Sequence, residues 1–214
     1  MRLPYAPSTP PASATQSEKD IYAAVSARRA PRPLQKLDLA LLHSPPIASG
    51  WNAFLGAIRS QSILPQASIQ EVSICRIAVL NRAPYEWDAH SVLAVKGEDA
   101  VGREGMESIL KAEEFVEKEA VERLRGIKGR VGKEGKEGGL SGRQWTVVAY
   151  TDQITRGVQC DDGIWDLVKE EFGERELVEL TATVAAYNCV SRFLGALDVG
   201  ERNGGDMPMP EGAK

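Results

Sequence analysis

The strongest constraint on the fold is a nearly unbroken apolar run in the first half of the chain, QASIQEVSICRIAVLNRA at residues 66–83. The run is too continuous for a helix with one solvated face, and it is too long for a single strand. It therefore predicts a nearly buried central helix. Pro84 suits the first position of a second helix, and Gly97 suits its end, so residues 84–96 are predicted to form a second buried helix.

Helical patterns also occur on both sides of this pair. Residues 48–61 place Trp51, Phe54, Leu55 and Ile58 at helical spacing and predict an amphipathic helix with an aromatic face. Further helices are predicted from Ser17 as a cap, over 104–126, over 145–159, after Asp161 or Asp162 as far as Gly173, and over 174–200. No segment has a convincing strand pattern, so the predicted fold class is all-α.

The composition changes at three places and predicts one domain with irregular segments. Residues 1–16 are rich in Pro, Ser, Thr and Ala and are predicted to be a disordered arm. The single helical domain then covers residues 17–199. Within it, residues 126–143 contain seven glycines among lysines and arginines, which predicts a flexible insertion, and residues 200–214 are predicted to be a flexible tail.

Charge and cysteine content exclude several classes of protein. A net charge of −4 argues against binding to nucleic acid or to an anionic membrane. The chain has no apolar segment of signal-peptide or membrane-spanning character, so we expect a soluble, cytoplasmic protein. Its three cysteines are odd in number and widely spaced, which favours neither a disulfide scaffold nor a zinc site.

The candidate site lies in the stretch NRAPYEWDAH at residues 81–90. Glu86 and His90 are four residues apart, so a helix would place them on one face, where a carboxylate can orient an imidazole for proton transfer. Glu71, at the start of the preceding helix, could approach the same place. Two structural alternatives stay open: Glu86 could simply favour the helix N-terminus, and His90 could be a hydrogen-bonded core residue.

Other kinds of chemistry are less favoured by the sequence. His90 and Glu86 could share a metal ion with Asp88 or His43, but the two histidines lie on different segments without a familiar ligand spacing. No cysteine has a histidine nearby in sequence, and no G-x-S-x-G motif is present. We therefore expect neither a metal site nor nucleophilic catalysis.

Four segments in order, LLHSPPIASGWNAFLGAIRSQSILP, EVSICRIAVLNRAPYEWDAH, AYTDQITR and LVELTATVAAYNCVSRFLGALDV, resemble the carboxymuconolactone decarboxylase-like family. This family is part of the AhpD-like superfamily of all-helical proteins. The resemblance covers about residues 37–199 and leaves out the arm, the insertion and the tail. It implies an AhpD-like helical domain.

The peroxidase-like AhpD branch carries C-x-x-C-x-x-x-H with a more distant glutamate. Aligned on the histidine, that glutamate corresponds to Glu71 and the histidine to His90, whereas the two cysteine positions hold Ala83 and Glu86. Thiol chemistry needs thiolates at those positions, so this activity is disfavoured here. An antioxidant oxidoreductase dependent on Cys75 stays an alternative, as does a catalytically retired protein used for binding or assembly.

The form Tyr85-Glu86-Trp87-Asp88-Ala89-His90 is similar to the decarboxylase-like branch. The resemblance implies cofactor-independent decarboxylation or proton transfer on a small carboxylic acid or lactone. His90, held by Glu86, would be the proton donor or acceptor, and Glu71 would act as a relay.

The remaining candidate residues would form the substrate pocket. The aromatic residues Tyr85, Trp87 and Trp51 would shape it, unless they are plain core or subunit contacts. Arg76 could hold a substrate carboxylate or pair with an acid such as Glu71, and His43 could face the cavity or cap its turn. The family pattern also implies a homo-oligomer, either a trimer or a hexamer.

Overall fold

Helix α4 (Glu71–Leu80) is at the centre of the fold, because each of its residues except Val79 is buried. It packs against α5, α6, α8 and α10. In the computed structural model, residues 1–97 and 99–213 are described, and they form ten α-helices and no β-strand. The helices are α1 (Gln16–Arg29), α2 (Lys36–Leu41), α3 (Pro45–Gln61), α4, α5 (Pro84–Ala94), α6 (Arg103–Lys111), α7 (Ala120–Val131), α8 (Gly142–Gly157), α9 (Asp162–Glu171) and α10 (Glu174–Leu197).

The predicted all-α class is confirmed by this set of helices. A π-helical segment, Gln66–Gln70, leads directly into α4, and a short 3-10 turn, Val199–Glu201, follows α10. The two helices predicted from the central run are both present, and Pro84 occupies the first turn of α5. Asp161, rather than Asp162, caps α9, since its side chain accepts a hydrogen bond from the amide of Gly163.

Two helical boundaries differ from the sequence-based expectation. Helix α1 begins at Gln16, because Thr15 and Glu18 form the capping box rather than Ser17 and Asp20. The segment 104–126, expected to be one helix, is divided into α6 and α7. Buried Phe115 lies in the connection, and its amide donates to Asp152, so tertiary contacts replace the helical hydrogen bonds there.

The glycine-rich segment 126–143 is more ordered than expected. Helix α7 continues to Val131, and α8 begins at Gly142. Between them, Leu140 is fully buried, and Glu137 accepts a bidentate pair of hydrogen bonds from Arg130 at 2.7 and 2.8 Å. The structure therefore shows only the central part of this segment as a loop.

Both terminal segments, expected to be disordered or flexible, lie against the helical domain. The amide of Arg2 donates to Leu197 (2.8 Å), and the amide of Ala6 donates to Leu39 (3.2 Å). At the other end, the indole Nε1 of Trp87 donates to the carbonyl of Pro208 at 2.7 Å. These contacts satisfy polar groups at the edge of the core and account for the difference from the expectation based on composition.

The helices of residues 1–97 and 99–213 were also compared with the requirements of a membrane span. None of them alone is long and apolar enough to cross a membrane. Only Pro45–Gln61 and Gln66–Leu80 together reach the necessary length and composition, and they are bent by 120°.

Candidate active site

The candidate site forms where α3, α4, α5 and α10 meet. Pro84 begins α5 without the loss of a helical hydrogen bond, and Glu86 and His90 follow one turn apart on that helix. Glu71 begins α4, the helix against which α5 packs most extensively. The two buried helices therefore bring both acids and the imidazole into one region.

His90 is oriented by Glu71. Its Nδ1 donates to Glu71 Oε2 at 2.7 Å, and Arg59 of α3 donates to the other oxygen of the same carboxylate. Although burial raises the pKa of the Glu71 carboxyl, His90 and Arg59 outweigh that effect, and the net pKa is lowered. Glu71 is therefore ionised, and Nε2 of His90 is the ring nitrogen that is left to exchange a proton with a ligand.

Glu86 is in a different state from Glu71. Its side chain is only 2% exposed, and neither carboxyl oxygen has a hydrogen-bond partner among the described protein groups. Burial, followed by the negative charge of Glu71, raises the pKa of Glu86 well above its ordinary value. Burial and Glu71 therefore both favour the neutral carboxylic acid form of Glu86.

A cavity of about 140 Å³ is lined by both Glu86 and His90. This volume is close to that of engineered protein cavities that hold a benzene ring. Part of the lining consists of three aromatic side chains and an apolar wall: Trp51, Tyr85 and Tyr187, with Leu37, Leu55, Leu93, Val190 and Leu194. The cavity can therefore accommodate one small ring against apolar side chains.

The cavity is also strongly basic, because Arg28, Arg29, Arg32 and Arg59 line it. Asp38 pairs with Arg28 and Arg29, and Glu71 pairs with Arg59, so four guanidinium groups face two carboxylates and leave an excess of two positive charges. Arg32 has no ion-pair partner within residues 1–97 and 99–213. Burial, and then the Arg29 cation, lowers the pKa of Arg28, as expected for crowded cations.

Arg59 connects the acid–base pair to this basic wall. One terminal nitrogen binds Glu71, whereas Nη1 is buried and has no partner among the described protein groups. A guanidinium with an unused buried donor at a cavity is well suited to a carboxylate ligand.

The structure brings together five of the eight residues that the sequence predicts for the site. His90, Glu86, Tyr85 and Trp51 line the cavity, and Glu71 lies directly behind His90. The sequence predicted that Glu86 orients His90, and this prediction is wrong: Glu71 forms the hydrogen bond to the imidazole. The reason is that Glu71 reaches Nδ1 of His90 from a neighbouring helix, while neither oxygen of Glu86 has a hydrogen-bond partner among the described protein groups.

Three predicted pocket residues lie elsewhere. Trp87 is fully buried and donates to Pro208, and His43 is exposed, with its Nε2 2.6 Å from the carbonyl oxygen of Pro4. Arg76 pairs with Asp152 rather than with Glu71 or a ligand, at 2.6 and 2.8 Å. All three have hydrogen-bond partners outside the cavity, which removes them from the candidate site.

Several lining residues were not among the predicted set. Tyr187 of α10 is buried and meets the His90 ring edge to face, with 4.9 Å between ring centroids. Its position in the middle of a regular apolar helix gives no signal of a site. The arginine cluster has a weak signal in the sequence, since Arg28, Arg29 and Arg32 are close together in the chain. Only the packing of α1 on α3 places them beside Arg59.

No thiol lines the cavity. Cys75 is fully buried, and burial, followed by the charges of Glu71 and Glu86, raises its pKa well above the ordinary value. Burial also raises the pKa of Cys160, to about 12. Among residues 1–97 and 99–213, no group of three or more His, Cys, Asp or Glu side chains is arranged to hold a metal ion.

Comparisons with known proteins add support at the level of the fold. No protein-family model matches the sequence, and no curated protein matches it. The structure is similar to the crystal structure of an uncharacterized peroxidase-related protein from Silicibacter sp. TM1040, with a TM-score of 0.62. The two chains are 15% identical, and the match covers 94% of this chain and 95% of that chain. The two proteins therefore share an all-helical fold, in agreement with the predicted all-α class.

Proposed function

We propose that this protein is a cofactor-independent enzyme that moves a proton on a small carboxylated organic molecule, with decarboxylation in the manner of the carboxymuconolactone decarboxylase-like family as the favoured reaction. The observation that supports this most directly is the convergence of His90, Glu86 and four arginines on one small cavity. An acid–base group, a neutral acid and an anion-binding wall are the components that such a reaction requires.

The arginines would bind a carboxylate that the reaction retains. An ion pair stabilises a carboxylate in the ground state, so arginine contacts to the departing group would oppose its loss as neutral carbon dioxide. A carboxylate held away from the reacting carbon instead fixes the ring beside His90. The substrate would therefore be a small carboxylic acid or lactone acid whose carboxylate serves as a handle.

His90 would transfer the proton. Glu71 accepts from Nδ1 and so fixes the tautomer that leaves Nε2 free to accept a proton in the neutral ring or to donate one in the charged ring. Arg59 shares the same carboxylate and links the acid–base pair to the bound anion. Glu71 would thus orient His90 directly.

A thiol peroxidase is the second candidate, since the structural neighbour is described as peroxidase-related. The cysteine beside the candidate site is Cys75, whose burial strongly disfavours ionisation. Peroxide consumption that disappears in Cys75→Ser would favour this candidate over proton transfer. A protein used only for binding or assembly would bind a ligand in the cavity without converting it. A homo-oligomer is compatible with each of these functions.

The first prediction concerns His90→Gln. A panel of small unsaturated lactone acids would be tested for carbon dioxide release and for uptake of deuterium from heavy water at carbon, detected by nuclear magnetic resonance. We expect His90→Gln to lower the rate on an active compound by roughly 10²- to 10⁴-fold, because general acid–base catalysis is lost. The melting temperature should change little, since the ring is partly exposed at the cavity.

The chain offers a matched control in its only other histidine. His43 is exposed and outside the cavity, so His43→Gln should turn over at the wild-type rate. Equal rates for His90→Gln and His43→Gln would contradict the assignment of His90. Failure of every compound in the panel to bind the wild-type protein would contradict the proposed substrate class.

A further inference from the structure

Glu86 has a feature that the proton transfer by His90 does not use. It lies at the cavity with both carboxyl oxygens buried, and neither oxygen forms a hydrogen bond with a described protein group. Buried polar groups in proteins almost always have partners, so such a pair beside a cavity is a place where a ligand atom is recognised.

The surroundings decide which kind of atom this is. Arg59, the cation beside Glu71, donates to that carboxylate rather than to Glu86. Glu71 itself is ionised and repels a second negative charge, and Cys75 and Tyr187 also lie near Glu86. With no cation and no hydrogen-bond donor at its buried oxygens, Glu86 favours the neutral acid form, and a neutral carboxylic acid presents one strong O–H donor.

We infer that Glu86 donates a hydrogen bond to a carbonyl oxygen of the substrate and stabilises the enolate that forms there. This inference rests on the proposed function and names the substrate class more closely: a small carboxylic acid that also carries a conjugated ketone, ester or lactone carbonyl. The carboxylate binds the arginines, and the carbonyl oxygen lies at Glu86. A buried acid kept neutral for such donation is a known device in enzymes that form enolates.

The electron flow balances without a co-reactant. In proton transfer, His90 removes a proton from the carbon next to the carbonyl, and the C–H electron pair forms a carbon–carbon double bond while the carbonyl π pair moves to oxygen. In decarboxylation, the bond to a second carboxylate breaks instead, and its pair follows the same path as carbon dioxide leaves. In proton transfer, protonated His90 then returns the proton to carbon as the enolate collapses. In decarboxylation, His90 starts in its protonated form, donates that proton to carbon, and regains one from water. The Glu86 hydrogen bond strengthens as oxygen becomes negative, which lowers the barrier.

A pair of aromatic probes tests this assignment without knowledge of the natural substrate. Benzoate supplies a ring and a carboxylate only, whereas 4-hydroxybenzoate adds an oxygen that mimics an enolate when ionised. Binding can be followed through the fluorescence of Trp51, which lines the cavity. The ultraviolet spectrum tells whether the phenol oxygen is bound ionised.

We expect wild-type protein to bind 4-hydroxybenzoate more tightly than benzoate and in ionised form. Glu86→Leu should reduce that preference by roughly ten- to a hundredfold, the usual effect of losing one hydrogen bond to a charged acceptor. Glu86→Gln keeps an N–H donor of similar shape and should retain part of the preference. Glu104→Leu, which removes an exposed carboxylate outside this cavity, serves as the control and should leave both affinities unchanged.

Infrared difference spectroscopy supplies a readout that does not depend on affinity. A carbonyl band of a protonated carboxylic acid should be present in the wild type, disappear in Glu86→Gln and shift when 4-hydroxybenzoate is added. Absence of that band in the wild type would overturn the inference. Normal benzoate binding with no preference for 4-hydroxybenzoate, or with the same preference in Glu86→Leu, would also overturn it while leaving the proposed function intact. Failure of benzoate itself to bind would instead count against the proposed function.

Discussion

Helix α4 carries two buried charged side chains, Glu71 and Arg76, and they belong to clusters of opposite character. Arg76 and Asp152 form a closed pair. Both oxygens of Asp152 accept from Arg76, and two further guanidinium hydrogens are donated to the carbonyls of Ile109 and Ala112. The cluster of Glu71, Arg59, His90 and Glu86 is open, since Glu86 and one Arg59 nitrogen lack partners at the cavity.

The contrast shows that burial and charge alone do not mark a functional site. A buried network with every hydrogen bond made holds the surrounding backbone in place, whereas incomplete hydrogen bonding beside a cavity leaves groups available for a ligand. In this protein, the closed pair fixes the connection between α6 and α7. The open cluster accounts for the chemistry proposed above.

Breaking the closed pair should have the largest effect on stability. Arg76→Met leaves Asp152 buried without its cation and removes the donors to Ile109 and Ala112. We expect a loss of about 3–5 kcal/mol in the free energy of unfolding, measured by urea denaturation. A variant that unfolds at the wild-type urea concentration would mean that the pair has no structural role.

The double variant Arg76→Met/Asp152→Leu is the control for this prediction. Burial raises the pKa of Asp152 even though Arg76 lies beside it, which indicates that the desolvation cost of the pair is large. Removing both charges should therefore recover much of the stability lost in the single variant. Equal destabilisation of both variants would assign the loss to packing rather than to the unpaired charge.

The sequence pattern predicted the helices well where the information is local. The apolar run predicted α4, and Pro84 predicted the start of α5, because hydrophobic spacing and proline geometry act within a few residues. The division between α6 and α7 was not predicted. It depends on Arg76, which is 33 and 36 residues from the carbonyls that it binds, and no local pattern contains that information.

The site was predicted in part for the same reason. The spacing of Glu86 and His90 placed both at the cavity, but spacing four residues apart permits a contact without requiring it. The actual partner of His90 comes from another helix, 19 residues away. Whether Arg76 would bind a ligand or an acid depended on Asp152, 76 residues distant, so sequence alone left both alternatives open.

A smaller effect on stability is expected from Glu86 of the open cluster, through the pH dependence of the free energy of unfolding. In the unfolded chain, Glu86 ionises above its ordinary pKa of 4.5. In the folded protein, burial and the charge of Glu71 raise this pKa, so Glu86 retains its proton to higher pH. The unfolded state then binds fewer protons at this residue, so the contribution of Glu86 to the stability of the wild type falls as pH rises from about 4.5 towards the raised pKa. The limit of this slope is about 1.4 kcal/mol per pH unit.

Glu86→Gln removes this titration and should be more stable than the wild type at neutral pH. The difference between the two free energies of unfolding should grow as pH rises and vanish below the ordinary pKa of glutamate. Glu71 titrates in the opposite sense, because its lowered pKa gives stability that is lost as pH falls. If the difference in the free energy of unfolding between wild type and Glu86→Gln stays constant across roughly pH 4 to 8, Glu86 is ionised in the folded protein.

The weakest predicted effect concerns Arg32, the arginine of the cavity wall that is most exposed to solvent. Because it has no acidic partner within residues 1–97 and 99–213, it attracts a bound anion without first breaking an ion pair. Solvent screening limits that attraction to about 0.4–1 kcal/mol, so Arg32→Gln should weaken benzoate binding by roughly two- to fivefold. The loss should shrink as salt is added, since exposed charges are screened most.

Arg125, which pairs with Glu122 outside the cavity, gives the matched variant Arg125→Gln, and its benzoate affinity should equal that of the wild type. An equal decrease for both variants would mean that net charge, rather than the position of Arg32 at the cavity, controls anion binding.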